Sequence, residues 1–335
     1  MDTQKYFNER FDALALEAFK KADKSEAGLV KMFRGATKNM NKEIDAFYGK
    51  YGKIVSSPTF KQLKSGIPVV TGKANKLAVS ITEANEYNRI FKLEAQLKKI
   101  LNQLARDQNS FMYTQLGEIA SGSYYDTIFT LYKGYGAGTS FSLLDPKLVK
   151  QLIENPVFGE NFSSRVWNNK NRLANVVNQE LKNGLIQGIS NQEMTERLSK
   201  RMNSSISVAN RLIKTEVNNS YAQASLLGYK ESGVVDEYFY TATLDSRTSK
   251  ICTDLDNYFF KVEEAVTGLN YPPAHPRCRS TTRAKFDEGV ATRIARNADT
   301  SKNFTVPSDM SARDFKAIYV DKTVKRSQFD AGKRL

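Results

Sequence analysis

Apolar residues recur at every third or fourth position through much of the first hundred or so residues, which is the spacing of one face of an α-helix. Three such stripes are present: Phe7, Phe11, Leu14 and Ala18; Leu29, Phe33, Ala36, Met40, Phe47 and Tyr51; and Ile90, Leu93, Leu97, Leu101 and Leu104. Prolines and glycines between residues 58 and 72 predict a loop between the second stripe and the third. We therefore expect a basic arm and a helical hairpin, whose stripes pack on each other or on a partner.

A glycine-rich stretch at residues 134–138, Gly-Tyr-Gly-Ala-Gly, ends this helical region. It lacks the Gly-Lys-Ser/Thr sequence that gives a phosphate-binding loop its lysine and its magnesium-binding hydroxyl. We interpret it as a hinge, so the predicted N-terminal region covers residues 1–138.

Helix signals followed by strand signals characterise the next part of the chain. The predicted helices begin at Asp145-Pro146, at Ser163 or Ser164 (ending at Gly188), at the capping box of Ser190 to Glu193 (ending near Met202), and near Ser207 (ending at Glu231). The predicted strands are residues 234–243, 257–261 and 279–286. This order predicts an α+β fold, in which a helix-rich module over residues 139–286 is closed by a small antiparallel β-sheet. Residues 287–335 are expected to form a basic, polar C-terminal tail.

The positive charge is unevenly distributed. The chain has a net charge of +14, of which residues 1–116 carry +8, residues 117–278 carry zero and residues 279–335 carry +6. Either the flanks are solvated helix faces, or they lie against a polyanion while the neutral centre docks on protein. Candidate contacts to duplex DNA are the basic pairs Lys20 and Lys21, Lys98 and Lys99, and Lys325 and Arg326. No base-reading motif is visible, so such binding is expected to be non-specific.

Composition excludes several classes of protein. No run approaches the roughly 18 apolar residues of a membrane span. The first ten residues contain acids and no apolar core, unlike a secretory signal, so we expect a cytoplasmic origin. Two cysteines are too few for a disulfide framework.

The single histidine and both cysteines fall within 27 residues, at Cys252, His275 and Cys278. Three explanations stay open. A zinc site would need a fourth ligand, for which Asp254 or Asp256 is available. A Cys252–Cys278 disulfide could add about 3 kcal/mol by loop entropy, although a reducing cytoplasm disfavours it. The third explanation is small buried thiols beside a hydrogen-bonded histidine.

Three strings carry a family resemblance: KTEVNNSYAQA, TATLDSRTSKICTDLDNYFF and PPAHPRCRS. They resemble the Mu F-like head-morphogenesis family of tailed phages, whose pattern is a helix with Lys/Arg-Thr-Glu, a strand, an Asp-x-Arg-Thr turn, a cysteine and a closing Pro-Pro-x-His-Pro-x-Cys-Arg. Besides Cys252, His275 and Cys278, the matching positions are Thr215, Glu216, Asp245, Arg247, Thr248, Pro272, Pro273, Pro276 and Arg279. The resemblance covers about residues 160–286. This sequence departs from the family pattern at Ser249, where many relatives have a further cysteine, and at Asn257, where glycine is commoner.

The resemblance implies a minor capsid protein, present in a few copies inside the virion head and made in the host cytoplasm. Its implied partners are the portal protein and packaged double-stranded DNA, with the scaffold or major capsid protein as further candidates. It would assist head assembly or leave with the DNA, without catalysis and without a required cofactor. Some relatives carry a toxin domain after this module, for which the 49 residues after Phe286 are expected to be too few and too polar.

The residues of this sequence give less support to a catalytic function. Asp245, Asp254 and Asp256 could hold magnesium in a metal-dependent nuclease, but nothing in the sequence places a water or an attacking base. A Cys-His protease would lack a visible orienting residue and oxyanion hole. We instead expect Asp245 to cap a turn and Arg247 to pair with a buried carboxylate, with Glu216 as a candidate partner of Arg247 or Arg279.

Overall fold

The computed structural model describes residues 3–62, 68–135, 141–286, 292–296, 303–307 and 309–330. The helices are α1 (Thr3–Tyr51), α2 (Ile81–Asn85), α3 (Arg89–Tyr135), α4 (Pro146–Glu154), α5 (Phe162–Gln187), α6 (Asn191–Ser232), α7 (Lys250–Leu255), α8 (Ala312–Phe315) and α9 (Arg326–Asp330). The strands are β1 (Lys53–Gln62), β2 (Pro68–Ala78), β3 (Glu237–Thr241), β4 (Phe259–Lys261), β5 (Thr281–Ala284), β6 (Thr292–Arg296) and β7 (Asn303–Pro307). Long helices with small antiparallel sheets confirm the predicted α+β class. Within the described residues, no helix combines the length and apolarity needed to cross a bilayer.

The chain divides into two compact units, and the long helices contribute to both. Unit 1 comprises Met1–Glu26, Phe111–Phe162 and Arg211–Leu335, and unit 2 comprises Ala27–Ser110 and Ser163–Asn210. Buried apolar residues recur along the helices of each unit, in the stripes that the sequence predicts.

Several predicted helix ends are confirmed by their capping groups. The Asp145 carboxylate accepts a hydrogen bond from the Leu148 amide, with Pro146 in the first turn of α4. Gly188 follows α5 with φ of +66°, and Gly233 follows α6 with φ of +67°. This left-handed conformation costs glycine little, which explains why the helices end there.

The predicted break between residues 202 and 207 is wrong, because α6 continues from Asn191 to Ser232. The intervening residues contain neither proline nor glycine. The hydroxyls of Ser204 and Ser205 donate to the carbonyls of Lys200 and Arg201, one turn earlier. Serine therefore satisfies its hydroxyl within the helix instead of ending it.

The predicted loop at residues 58–72 is also wrong. β1 and β2 pair antiparallel from Lys53 opposite Ala78 to Gln62 opposite Pro68, with a register shift between Thr59 and Phe60. A two-stranded sheet has two free edges, so prolines are tolerated wherever no ladder N–H is needed. Gly66 lies outside the described residues.

The three predicted strands of unit 1 are confirmed and form one antiparallel sheet in the order β4-β3-β5. Tyr238 of β3 lies opposite Phe260 of β4 and Ala284 of β5. Tyr238 and Tyr240 are fully buried in this central strand. The first turns of α1 also belong to this core, because the Phe7 ring stacks on Phe286 with 4.2 Å between centroids.

Residues after 286 differ from the polar tail that the sequence predicts. β6 and β7 form a hairpin, and the apolar side chains of this segment enter the core of unit 1. That core cluster consists of Tyr240, Ala242, Leu244, Cys252, Cys278, Ala295, Val306, Met310, Ala312, Phe315, Ile318 and Phe329. The apolar residues of this C-terminal segment are sparse and separated by charged residues, so the sequence shows no strong hydrophobic periodicity there. They are nevertheless buried, because they pack against the core of unit 1.

Candidate functional site

Cys252, His275 and Cys278 converge in unit 1. Cys252 lies in the first turn of α7, where the Ser249 hydroxyl caps its amide, and the other two residues lie in the loop before β5. The Cys252 Sγ is 3.3 Å from His275 Nε2 and 3.7 Å from Cys278 Sγ. All the potential ligand atoms lie within 4.8 Å of one another, so these three side chains could hold a metal ion.

The imidazole of His275 is oriented by its own loop. Its Nδ1 lies 2.9 Å from the Pro276 carbonyl oxygen, which can only accept a hydrogen bond. Nδ1 therefore carries the proton in the neutral ring, and the Nε2 lone pair is directed toward Cys252. The Tyr240 hydroxyl lies 3.3 Å from the sulfur of Cys252 and 3.9 Å from that of Cys278.

The two thiols are electrostatically unequal. The hydrogen bond between them raises the pKa of Cys252, and burial raises it further. The same hydrogen bond lowers the pKa of Cys278 to about 6, against the opposing effect of burial. Cys278 is thus the thiol that more readily becomes a thiolate, which is the form that binds metals.

Neither acid suggested by the sequence completes a ligand set. Both oxygens of Asp256 accept backbone hydrogen bonds, at 2.7 Å from the Ala242 amide and 2.6 Å from the Ala312 amide. Asp254 is exposed and pairs with Lys250 at 2.7 Å. The carboxylate of Asp256 therefore ties β3 to the C-terminal segment.

Asp245 anchors the turn after β3. Its carboxylate accepts two hydrogen bonds from the Arg279 guanidinium, one of them from Nη2 at 2.9 Å, and one from the Arg247 amide at 2.9 Å. Burial raises the pKa of Asp245, but the hydrogen bonds and charge of Arg279, together with the hydrogen bonds from the Arg247 amide and Thr248, hold this pKa below its usual value. The Thr248 hydroxyl lies 3.2 Å from the same carboxylate.

The expected pairing of Arg247 with a buried carboxylate is present only as a long contact, and its partner is Asp245, where the sequence suggested Glu216. The Arg247 side chain is 69% exposed and reaches Asp245 only at 3.6 Å, whereas Arg279 makes the bidentate contact. The sequence suggested Glu216 as a candidate partner of Arg279, but the closing loop brings Arg279 to Asp245, across 34 residues of chain.

The loop before β5 contains Pro272, Pro273 and Cys278, and we call it the Pro-Pro loop. Polar side chains of helix α6 form hydrogen bonds to this loop. The Thr215 hydroxyl accepts a hydrogen bond from the Arg277 amide at 3.0 Å. The Asn218 amide donates to the carbonyls of Cys278 at 2.7 Å and Ser280 at 3.1 Å. Glu216 is fully buried on the same helix. The sequence analysis did not identify Asn218 as part of this arrangement. The available signal is that an asparagine occupies a position on a helix face that is otherwise buried.

The prolines shape the loop that these contacts hold. Pro272 and Pro273 are buried and joined by a cis peptide bond, and Pro276 is exposed. Asn257 adopts a φ of +64°. Asparagine tolerates this left-handed conformation, so the departure from glycine at this position keeps the same turn.

The candidate DNA contacts lie mostly on the surface. Lys20, Lys98, Lys99 and Lys325 are exposed. Lys21 pairs with Glu17 at 3.3 Å, and Arg326 donates to Asp330 and to the Tyr319 hydroxyl, both at 2.8 Å. Arg326 therefore has a structural role inside the C-terminal segment.

Comparisons with known proteins locate the family signal in the same part of the chain. Residues 175–283 match the family described as Phage Mu protein F like protein. A protein of Enterococcus faecalis named NAD(+)--arginine ADP-ribosyltransferase EFV is 24% identical over 233 residues. That alignment covers 66% of this chain and 47% of the relative, so the chain spans about half the length of the curated protein it matches. No solved structure matches. The matched span includes α6, the Asp245 turn and the Pro-Pro loop, and over residues 175–283 the chain is similar to the Phage Mu protein F like family.

Proposed function

We propose that this chain is a minor capsid protein of a tailed bacteriophage, which lies at the portal inside the head and contacts the packaged DNA. The observation that carries the proposal is the family match over residues 175–283, within which Thr215 and Asn218 of α6 form hydrogen bonds to the backbone of Arg277 and Cys278. The other implied partners, the scaffold and the major capsid protein, are contacted during assembly.

The role is structural rather than catalytic. The acids that a nuclease would use to hold magnesium have other partners: Asp245 binds Arg279, Asp256 binds two amides and Asp254 binds Lys250. These contacts support turns and connections between segments. The transferase named in the comparison is about twice as long as the aligned part, so its activity is not extended to this chain.

Protein docking is assigned to the neutral middle of the chain. Residues 117–278 carry no net charge. The turn before the Pro-Pro loop exposes apolar side chains to solvent, with Val266 53% and Leu269 68% exposed. Apolar residues that are exposed on a subunit become buried when a protein partner covers them, which supports a portal contact for this module.

DNA contact is assigned to the basic flanks, and the N-terminal flank contains a suitable surface. Lys31, Arg34, Lys38 and Lys42 are exposed on the part of α1 that lies in unit 2. At 100° per residue they fall within an arc of about 80° on one helix face. A continuous cationic face attracts the phosphate backbone without reading bases. We call these four residues the α1 basic stripe.

Salt-dependent binding tests this assignment. The full chain is titrated onto duplex DNA of unrelated sequences between low and moderate salt, beside a variant with all four stripe residues changed to Gln. The slope of log K against log salt should fall by about 0.9 for every phosphate that the variant no longer neutralises. A matched control changes four exposed lysines of the neutral section, Lys147, Lys200, Lys230 and Lys261, to Gln.

The stripe variant should bind more weakly at low salt and show a shallower slope, whereas the control should resemble the parent chain. Equal weakening in both variants would mean that charge anywhere on the surface suffices. No binding by the parent at low salt would refute the DNA contact itself.

A further inference from the structure

We propose that Cys252, Cys278 and His275 bind one zinc ion through two thiolates and an imidazole nitrogen, with a water molecule as the fourth ligand. The site lies wholly within unit 1 and does not depend on the proposed function in the phage head.

Two of the three distances between these ligand atoms are close to those required by a tetrahedral ion, and all three atoms lie within 4.8 Å of one another. With Zn–S bonds of about 2.3 Å, two thiolates on one zinc lie about 3.8 Å apart. The Cys252 and Cys278 sulfurs lie 3.7 Å apart. With a Zn–N bond of about 2.0 Å, a sulfur and a nitrogen lie about 3.5 Å apart. The observed distance from Cys252 Sγ to His275 Nε2 is 3.3 Å.

Neighbouring groups orient these ligands as metal sites require. A metal-binding histidine commonly donates its other N–H to a carbonyl or carboxylate, which fixes the ring and its tautomer. The hydrogen bond from His275 Nδ1 to the Pro276 carbonyl is of this kind. The Tyr240 hydroxyl, beside both sulfurs, is placed to donate to a thiolate. It can thereby moderate the charge of the sulfur ligands.

Charge and burial select the kind of ion. Both cysteines are only 2% exposed, and two unneutralised thiolates would be costly there. A divalent ion balances their two negative charges. Thiolate and imidazole ligands favour zinc over magnesium or calcium, which prefer oxygen ligands.

The fourth position is assigned to water because the described residues supply no further Cys, His, Asp or Glu to this group. Asp256 binds two amides instead. His275 is only half-buried, so solvent can reach the ion from its side. The bound ion would connect α7 to the Pro-Pro loop. Arg279, which directly follows the ligand Cys278, pairs with Asp245.

Metal analysis of the full chain tests the site. Protein carrying no histidine tag is purified under nitrogen without chelator, and its zinc is measured by plasma mass spectrometry and by native mass spectrometry. We expect about one zinc per chain, as in sites with this ligand type. Replacement of zinc by cobalt should give thiolate-to-cobalt charge-transfer absorption in the near ultraviolet.

Two variants and one control make the result specific. Cys252→Ser with Cys278→Ser removes every thiol of the chain and should abolish both zinc and the cobalt band. His275→Ala changes only a half-buried side chain, so it tests the site even if the double variant does not fold; it should lower zinc affinity at least tenfold. Asp254→Asn alters an exposed acid two residues from Cys252 and should retain a full zinc content.

Two results would overturn the proposal. One is metal-free parent protein whose thiols both react with a thiol reagent after unfolding. The other is parent protein two hydrogens lighter than its sequence mass, because its cysteines have formed a disulfide. Zinc that persists in the double variant would show that the metal binds elsewhere.

Discussion

Arg279→Ala should destabilise the sheet and loop of unit 1 far more than Arg247→Ala does. The Asp245 side chain is 5% exposed, and Arg279, itself 30% exposed, gives it two of its hydrogen bonds. Breaking a buried ion pair by removing one partner costs roughly 3–5 kcal/mol. Asp245 retains its bonds from the Arg247 amide and Thr248, and Arg279 is partly solvated, so we expect about 2–3 kcal/mol.

Hydrogen exchange by mass spectrometry is the suitable assay, because it reports on unit 1 directly. The single tryptophan, Trp167, lies in unit 2, so its fluorescence does not report on unit 1 directly. A loss of 2–3 kcal/mol corresponds to exchange that is faster by about 30- to 150-fold in peptides covering β3, β5 and the Pro-Pro loop. Arg247→Ala removes an interaction at 3.6 Å from a side chain that is 69% exposed, so its effect should be within about 0.5 kcal/mol.

The pH dependence has a defined sign. The pKa of Asp245 is lower in the folded chain than its ordinary value, so its contribution is present above the unfolded pKa of about 4. That contribution is lost as pH falls through the folded pKa. The melting-temperature gap between the parent and Arg279→Ala should therefore narrow below about pH 4. Equal destabilisation by Arg247→Ala and Arg279→Ala, or a gap that widens in acid, would refute the reasoning.

Two further substitutions test how α6 is packed. Asn218→Ala leaves two carbonyls of the Pro-Pro loop without their donor, so it should speed hydrogen exchange in that loop by the equivalent of about 1–3 kcal/mol; unchanged exchange would contradict the role of Asn218. Gly228→Ala places a Cβ 2.8 Å from the Thr127 methyl and should cost about 1–3 kcal/mol in thermal unfolding. Gly122→Ala, a matched change with nothing within 4 Å, should be neutral or stabilise by up to about 1 kcal/mol, and the packing account fails if the two variants behave alike.

The sequence predicts best where local chemistry decides the structure. The cap at Asp145 and the glycines that end α5 and α6 act within one turn of chain, so their positions follow from residue type. The positions of β3, β4 and β5 also follow, since β-branched and aromatic runs are interrupted by turn residues. The family resemblance identified the motif residues that the fold brings together.

The sequence predicts less where distant segments decide. Arg247 lies two residues from Asp245, but the carboxylate takes Arg279, whose position depends on how the closing loop returns. Asp256 resembles a metal ligand in sequence, yet both of its carboxylate oxygens accept hydrogen bonds from backbone amides of separate segments. The sparse apolar residues after Phe286 show no strong period and become recognisable as core only beside Tyr240 and the cysteines.

The central claim, a minor capsid protein at the portal, is tested most directly by quantitative mass spectrometry of purified particles of the phage that encodes the chain. DNA-filled heads and heads emptied of DNA are compared, with the portal and major capsid proteins as internal standards. We predict that the chain is present in filled heads at a few copies per portal ring, far below the major capsid protein. Absence from filled heads, or a copy number equal to that of the major capsid protein, would contradict the account.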